Sequence, residues 1–324
     1  MSSLVAAFRT SAFPPGIPSA GDLHFSSGYL AHALFTTGRA PGDTARHGHA
    51  SVWEWLHRIS LIPAYLRSRP VNNRVVRSSL ANTLDRSEKV AVSYAIGQAM
   101  TQVFSERELQ VPFLMHVDRY ATRYGIVFAG KKRPDLFGLR SSGDWIVAEA
   151  KGRSGSMESE LRQKLIDQKR SVRSIKGIPP SLAFGCVASF PKNNGVAGSL
   201  RLDLFDPVAD EAGAVDIPAD TDSFILAYYE PFMAAIDAGE REAALEFPDA
   251  YFANFPQFGM RFGIIRPIYD RIRRAQNGET AGLFREITQI LQNRDEYSEV
   301  AFMDGSIIEA DWSASLAVND GEYQ

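Results

Sequence analysis

Cysteine is nearly absent from this 324-residue chain, where Cys186 stands alone. One thiol excludes a disulfide framework and any zinc site built from several cysteines. Long apolar runs are missing as well. Stretches such as Phe224-Ile225-Leu226-Ala227-Tyr228-Tyr229 are of strand length, far short of the roughly 20 residues that cross a bilayer as a helix. The apolar run at residues 4–8 is too short for the core of a signal peptide, and no basic segment precedes it. The expected location is therefore the cytoplasm, without membrane association. There is no P-loop, no dinucleotide fingerprint and no HExxH pair, which removes the commonest nucleotide-binding and zinc-peptidase signatures. Gly152-Arg153-Ser154-Gly155-Ser156 lacks the final glycine of a serine-hydrolase elbow.

What is present describes a globular protein. Hydrophobic residues make up 45% and charged residues 23%, which excludes a disordered chain, a collagen-like chain and a coiled-coil rod. The net charge of −3 hides an asymmetry. Residues 1–175 hold 24 Lys+Arg against 14 Asp+Glu, and residues 176–324 hold 11 against 24. A basic front and an acidic back suggest an anion-binding half beside a half with another task.

The coarse pattern alternates helices and strands. Residues 10–50 are rich in Gly, Pro, Ser and Thr and read as an irregular arm. The pair His47 and His49 has no further ligand at a recognisable spacing. A helix is expected over 51–66 with Trp53, Leu56 and Ile59 on one face, followed by a basic connector containing Arg67, Arg69, Arg74 and Arg77. The clearest helix spans 85–104. Asp85 is its N-cap, and Ala91, Val92, Ala95, Ile96, Ala99, Met100 and Val103 form its stripe. Strands are expected at 125–128, 134–140, 144–151, 182–190, 200–205 and 223–229, with helices at 155–175, 231–245 and 279–292. Residues 300–312 read as a terminal hairpin turning at Asp304-Gly305. Cys186 falls in a buried strand.

The chemistry concentrates in residues 134–151. Ser141-Ser142-Gly143 reads as a three-residue hairpin loop between two alternating strands. Paired residue numbers then sum to 284, which sets Asp135 across from Glu149 with Cβ atoms about 5 Å apart. Lys151, two residues further along, falls on the same face. Two carboxylates at that spacing suit a hard cation, Mg²⁺ or Mn²⁺, with the Ala150 carbonyl as a further donor. A lysine beside them can orient water and offset phosphate charge.

Pro134-Asp135 followed by Glu149-Ala150-Lys151 on a hairpin resembles the PD-(D/E)XK superfamily, the restriction-endonuclease-like nucleases. The resemblance covers about 105 residues, a third of the chain. Asp167-Gln168-Lys169 repeats the triplet and Pro248-Asp249 the dipeptide, but neither lies on a matching hairpin. The resemblance implies an α/β core of mixed sheet flanked by helices, in which Asp135 and Glu149 bind metal and Lys151 assists the attacking water. It also directs attention to Glu88, since family members often supply another acid from the first helix. Glu88 equally fits a capping box with Asp85, so both roles stand. Gln168, on the stripe of the second helix, is either a polar residue near the site or a helix-edge residue. Lys131, Lys132, Arg133 and Arg153 are candidate phosphate contacts.

The expected organisation is an N-terminal arm and helical extension (1–80), a nuclease-like core (81–230) and a C-terminal helical region with a terminal hairpin (231–324). The expected function is metal-dependent endonuclease, on DNA before RNA. By analogy with the settings in which this core recurs, that extends to bacterial anti-phage defence. The rival class is a nuclease-fold scaffold or nucleic-acid-binding subunit without turnover. Phe247, Tyr251, Phe252, Phe255 and Phe258, interleaved with acids, either dock a partner protein or a second copy through the acidic C-terminal region or pack a C-terminal helical layer whose solvated face carries the acids.

Overall fold

The computed structural model describes residues 3–38, 47–121, 124–126, 133–157, 172–193, 196–205, 215–242, 249–296, 300–310 and 312–317. Its backbone is α/β. A mixed seven-stranded sheet has the order β2-β1-β12-β9-β7-β6-β5. These are β1 (Ser3–Ser11), β2 (Ala20–Ser26), β5 (Phe113–His116), β6 (Leu136–Leu139), β7 (Trp145–Arg153), β9 (Leu182–Ser189) and β12 (Arg201–Phe205). β1 runs parallel to β12 and β7 parallel to β9, and the other neighbours are antiparallel. A second sheet, β14 (Glu240–Glu242), β15 (Ala250–Phe255), β16 (Met260–Ile265) and β17 (Ser306–Ala310), is antiparallel throughout. Short pairs complete the list: β3 (Leu66–Ser68) with β4 (Val75–Arg77), β8 (Val172–Ile175) with β13 (Val215–Ile217), and β10 (Lys192–Asn193) with β11 (Val196–Ala197).

The stretch read as an irregular arm is a correction. Residues 3–26 supply two strands of the main sheet, and α1 (Ser27–Thr36) follows, capped by Ser26. β1 finds its partner about 190 residues later in β12, so local composition carries no trace of the pairing. In α2 (Ala50–Tyr65) the buried face is Val52, Trp55, Leu56, Ile59 and Ile62, whereas Trp53 is 60% exposed.

The long helix α3 (Arg86–Leu109) begins as expected. Asp85 accepts the N–H groups of Ser87 and Glu88, and Glu88 Oε2 accepts the Asp85 N–H at 3.0 Å. It stops at Gln110, whose φ of 56° lies in the left-handed region. Ala95, Ile96, Ala99, Met100 and Val103 are buried, while Ala91 at the open first turns is exposed. Asp85→Ala should cost about 1 kcal/mol of stability, the usual worth of such a cap. Glu88→Gln should leave the melting temperature nearly unchanged, because the amide oxygen still accepts the Asp85 N–H.

Other differences follow from long-range packing. The segment 223–229, read as a strand, belongs to α4 (Thr221–Ala238), which Asp220 caps through the Ser223 N–H. The helix is buried nearly all round, so its run is as apolar as a strand. It also runs through the boundary expected near residue 230 and ends well before 245. Pro231 lies inside it. Its missing N–H frees the Ala227 carbonyl, which accepts the Tyr120 hydroxyl at 2.8 Å. The expected helix at 279–292 is α6 (Leu283–Gln292), preceded by α5 (Arg266–Gln276). The turn at Asp304-Gly305 is present, closed by Phe302 N–H on the Ser306 carbonyl, but the ladder of β17 forms with β16. Of the strand expected at 125–128, residues 127–128 lie outside the described residues, and β5 takes the place beside β6. Of the helix expected at 155–175, residues 158–171 lie outside them, and 172–175 form β8.

The two sheets share one apolar core, and a buried polar cluster lies among the helices that pack between them. His32 of α1 places Nε2 2.9 Å from Asp304 Oδ2 and Nδ1 3.6 Å from Glu106 Oε2 of α3. Tyr228 of α4 also donates to Asp304 Oδ2, at 2.7 Å, and Ser306 bonds to Oδ1. His32, Glu106 and Asp304 have at most 1% of their surface exposed. Phe252 and Phe255 are buried and form no exposed docking surface, Tyr251 and Phe258 are half-buried against the core, and Phe247 lies outside the described residues. Among the described residues no helix is long and apolar enough to cross a membrane.

Candidate active site

The hairpin loop forms as its residues demand. Arg140 N–H bonds to the Asp144 carbonyl, Gly143 N–H bonds back to the Arg140 carbonyl, and Gly143 takes a φ of 92° that a side chain would resist. The register is Leu136↔Ala148, Phe137↔Val147, Gly138↔Ile146 and Leu139↔Trp145. Each pair sums to 284, the value the three-residue loop implies.

The ladder stops at Leu136, and side chains take over. Asp135 N–H donates to Glu149 Oε2 at 3.0 Å, and Ala150 N–H donates to Asp135 Oδ2 at 3.1 Å. N–H and C=O of one strand residue point to the same side, so the Ala150 carbonyl faces this gap too. Lys151 Nζ lies 3.3 Å from Asp135 Oδ2 and is hydrogen-bonded to Glu149 Oε1. Two acids and one ammonium thus meet where β6 begins and β7 ends.

The electrostatics follow from depth. Glu149 is 0% exposed, and its pKa is pushed up to about 8, first by burial and then by Asp135, with Lys151 opposing. Burial alone would depress Lys151, but Asp135 and Glu149 outweigh it and hold the ammonium above its ordinary value. Two acids this close therefore favour a proton or a cation between them, and Lys151 supplies the cation here. Cys186, in the adjacent strand, is buried with its thiol pushed up to about 12 and takes no part.

A close backbone contact fixes the site. A Cβ on Gly152 would meet the Ser93 carbonyl oxygen at 1.6 Å, and one on Gly97 would meet Gly152 N at 2.5 Å. Helix α3 thus lies directly on β7 beside Lys151. Gly152→Ala should force the two apart, with a loss of at least 1–3 kcal/mol and a lowered melting temperature as the readout.

The other candidates divide. Glu88 is exposed at the helix start and spent on the cap. Among the described residues no group of three or more His, Cys, Asp and Glu could hold a metal, so Glu88 does not join Asp135 and Glu149. Gln168, Lys131 and Lys132 lie outside the described residues. Arg133 is paired with Asp118, its Nη2 2.7 Å from Oδ2. Arg153 is half-buried and bonds to the Gly152 carbonyl.

Two features escaped the sequence reading. His116, the one histidine beyond residue 57, ends β5 next to the site. Its Nδ1 accepts the Asp118 N–H, and its Nε2 lies 2.9 Å from the Tyr94 hydroxyl, which Gln98 also contacts. Helical spacing links Tyr94 and Gln98, one turn apart on α3, but nothing local links them to His116. The second feature is Arg201. The register Arg153↔Ser189↔Arg201 sets the two arginines in one row at the sheet end that carries Lys151. Arg77 of β4 joins that end by donating to the Ser154 carbonyl.

Comparison with protein-family models, with curated proteins and with solved structures finds no match to this chain.

Proposed function

We propose that this chain is a divalent-metal-dependent nuclease with a restriction-endonuclease-like core, hydrolysing phosphodiester bonds of nucleic acid, DNA before RNA. The observation that carries the reading is the convergence of Asp135, Glu149 and Lys151 at the open end of the β6–β7 hairpin. The order α3, β5, β6, β7, then β9 parallel to β7, supports it.

Asp135 and Glu149 are the residues that would hold Mg²⁺ or Mn²⁺, with the Ala150 carbonyl as a further donor. Two carboxylates with water completing the shell suit Mg²⁺. The donor chemistry fits, because the two acids stand close together and the Lys151 ammonium already bonds to both. When bound, the metal supplies Lewis-acid stabilisation of charge on the phosphoryl group. The chain's own groups do the rest. Hydrolysis joins a water oxygen to phosphorus and breaks one P–O ester bond. The Lys151 ammonium, steadied by both acids, orients that water and meets phosphate charge. Arg153 and Arg201 offer further positive charge along the same sheet end, although Arg201 shares its guanidinium with Asp203.

Incubating the full chain with plasmid DNA and Mg²⁺ or Mn²⁺, with and without EDTA, tests the proposal. Metal-dependent cutting is the expected result, and a parallel arm with structured RNA separates the two substrates. Retardation of DNA without cutting in either metal would instead make the chain a silent nuclease-fold binding subunit.

A further inference from the structure

Past Lys151, the main sheet carries a second polar group on the same face. Gly152 meets α3, so its neighbours on the strand, Lys151 and Arg153, face away from that helix. The registers Arg153↔Ser189 and Ser189↔Arg201 are unbroken, and residues paired across strands share a face. Arg153, Ser189 and Arg201 therefore stand in one row across β7, β9 and β12, about 4.8 Å from strand to strand, on the face of Lys151.

Ser189 is 0% exposed, and its Oγ has no hydrogen-bond partner among the described residues. A buried hydroxyl left unpaired costs stability. The groups on either side offer it no acceptor, because a guanidinium only donates. Arg153 gives Nη1 to the Gly152 carbonyl, and Arg201 gives Nε to Asp203 Oδ2 at 3.0 Å. Each keeps N–H donors on its other nitrogens. Arg153 is half-buried and the Arg201 side chain is 33% exposed, so the short serine is the floor between two long cationic side chains. Asp203 lies in the row of Lys151 rather than between the arginines. It offsets one of their two charges and leaves the row net positive.

We infer that Arg153, Ser189 and Arg201 form a subsite for the backbone phosphate next to the scissile one. The inference rests on the nuclease reading and deepens it, since the preferred substrate is then a polynucleotide strand rather than an isolated phosphodiester. Three donors with no acceptor between them fit phosphate oxygens, and the planar guanidinium binds such a group through paired N–H bonds. Arg153 lies two residues past Lys151 on one strand, about 6.8 Å, which is one nucleotide step along a backbone whose scissile phosphate sits at Lys151. Such contacts set the register of the strand and read no base.

Binding of a labelled DNA oligonucleotide to the full chain in EDTA, followed by fluorescence anisotropy, separates the subsite from catalysis. Arg153→Ala and Arg201→Ala should each weaken binding about fivefold or more and lower the slope of log affinity against log salt by about one. Ser189→Ala should weaken binding about threefold while its melting temperature stays at or above that of wild type, because it deletes a hydroxyl that the fold leaves unpaired. In the cutting assay, a neutral methylphosphonate at one linkage should slow the cut at one neighbouring linkage in wild type, and Arg153→Ala should erase that neighbour effect. Wild-type affinity from all three variants would overturn the inference. Binding only to oligonucleotides with a 5′-phosphate would overturn it too, by making the phosphate a terminal one. Metal-dependent cutting beside either result leaves the nuclease reading standing. Loss of binding in the three variants of a protein that never cuts defeats that reading and keeps the phosphate subsite.

Discussion

Asp135→Asn and Glu149→Gln should each abolish metal-dependent cleavage while leaving the fold near wild type. Both remove an acid from a pair that the structure holds close, with Glu149 buried and Asp135 half-buried beside it. For Glu149 the loss removes a charge that burial opposes, at the expense of its bond to Lys151. The amide oxygen of either variant can still accept the backbone N–H that the carboxylate accepts now, although in Glu149→Gln the amide nitrogen then faces the Lys151 ammonium, so Asp135→Asn is the cleaner of the two. The cation site, by contrast, loses half of its anionic donors. Metal activation is worth several kcal/mol of transition-state stabilisation, so cleavage should read as absent rather than slowed. Lys151→Ala differs in kind. It leaves two buried acids facing each other, and it should lose cleavage while retaining metal binding by calorimetry. Its melting temperature should fall in EDTA and recover with Mg²⁺. Wild-type rates from all three variants would remove Asp135, Glu149 and Lys151 from the chemistry.

His32→Ala should destabilise the protein by about 3–5 kcal/mol, the usual cost of removing one partner from a buried ion pair. It takes the one cationic partner from Asp304 and Glu106, which meet His32 from opposite sides and keep only neutral donors. Set against a typical stability of about 5–15 kcal/mol, that loss should lower the denaturant midpoint severely. The same cluster sets the pH dependence. Burial pushes Glu106 up to about 7, with His32 opposing. Burial would lower His32, but Asp304 and Glu106 outweigh it and raise it. Burial would raise Asp304, but His32, Ser306 and Tyr228 hold it low. A raised acid costs stability as pH climbs from the ordinary carboxylate range through its folded pKa. A raised histidine loses its contribution over the neutral range, and a lowered acid loses its own only as pH falls. The melting temperature should therefore be higher near about pH 5.5 than near about pH 8. Glu149 acts in the same direction, so the decisive comparison is Glu106→Gln, which should shrink the difference. A melting temperature that rises towards alkaline pH in the wild type contradicts this assignment.

How much of this was legible depends on the range of the interactions. The Asp85–Glu88 cap and the three-residue loop are local, and both formed as the residues dictate. The loop length set the register by arithmetic, and the register brought Asp135, Glu149 and Lys151 together. The apolar run at 224–229 misled because a helix buried all round and a buried strand share the same composition. The terminal hairpin misled for a related reason, since the turn at 304–305 is local but the partner of β17 is not.

The sequence by itself determined the candidate centre, because a tight turn between alternating strands leaves side-chain facing no freedom. It also determined the start of α3 through its own side-chain caps. Only the tertiary structure decided that residues 3–26 complete the main sheet and that His32, Glu106 and Asp304 meet in one buried cluster. It likewise decided that Arg77 and Arg201 join Arg153 at the end of the sheet where Lys151 lies. Those contacts join positions tens to hundreds of residues apart. Burial and backbone pairing select them, and a local pattern of residue types does not encode which distant segment supplies the partner.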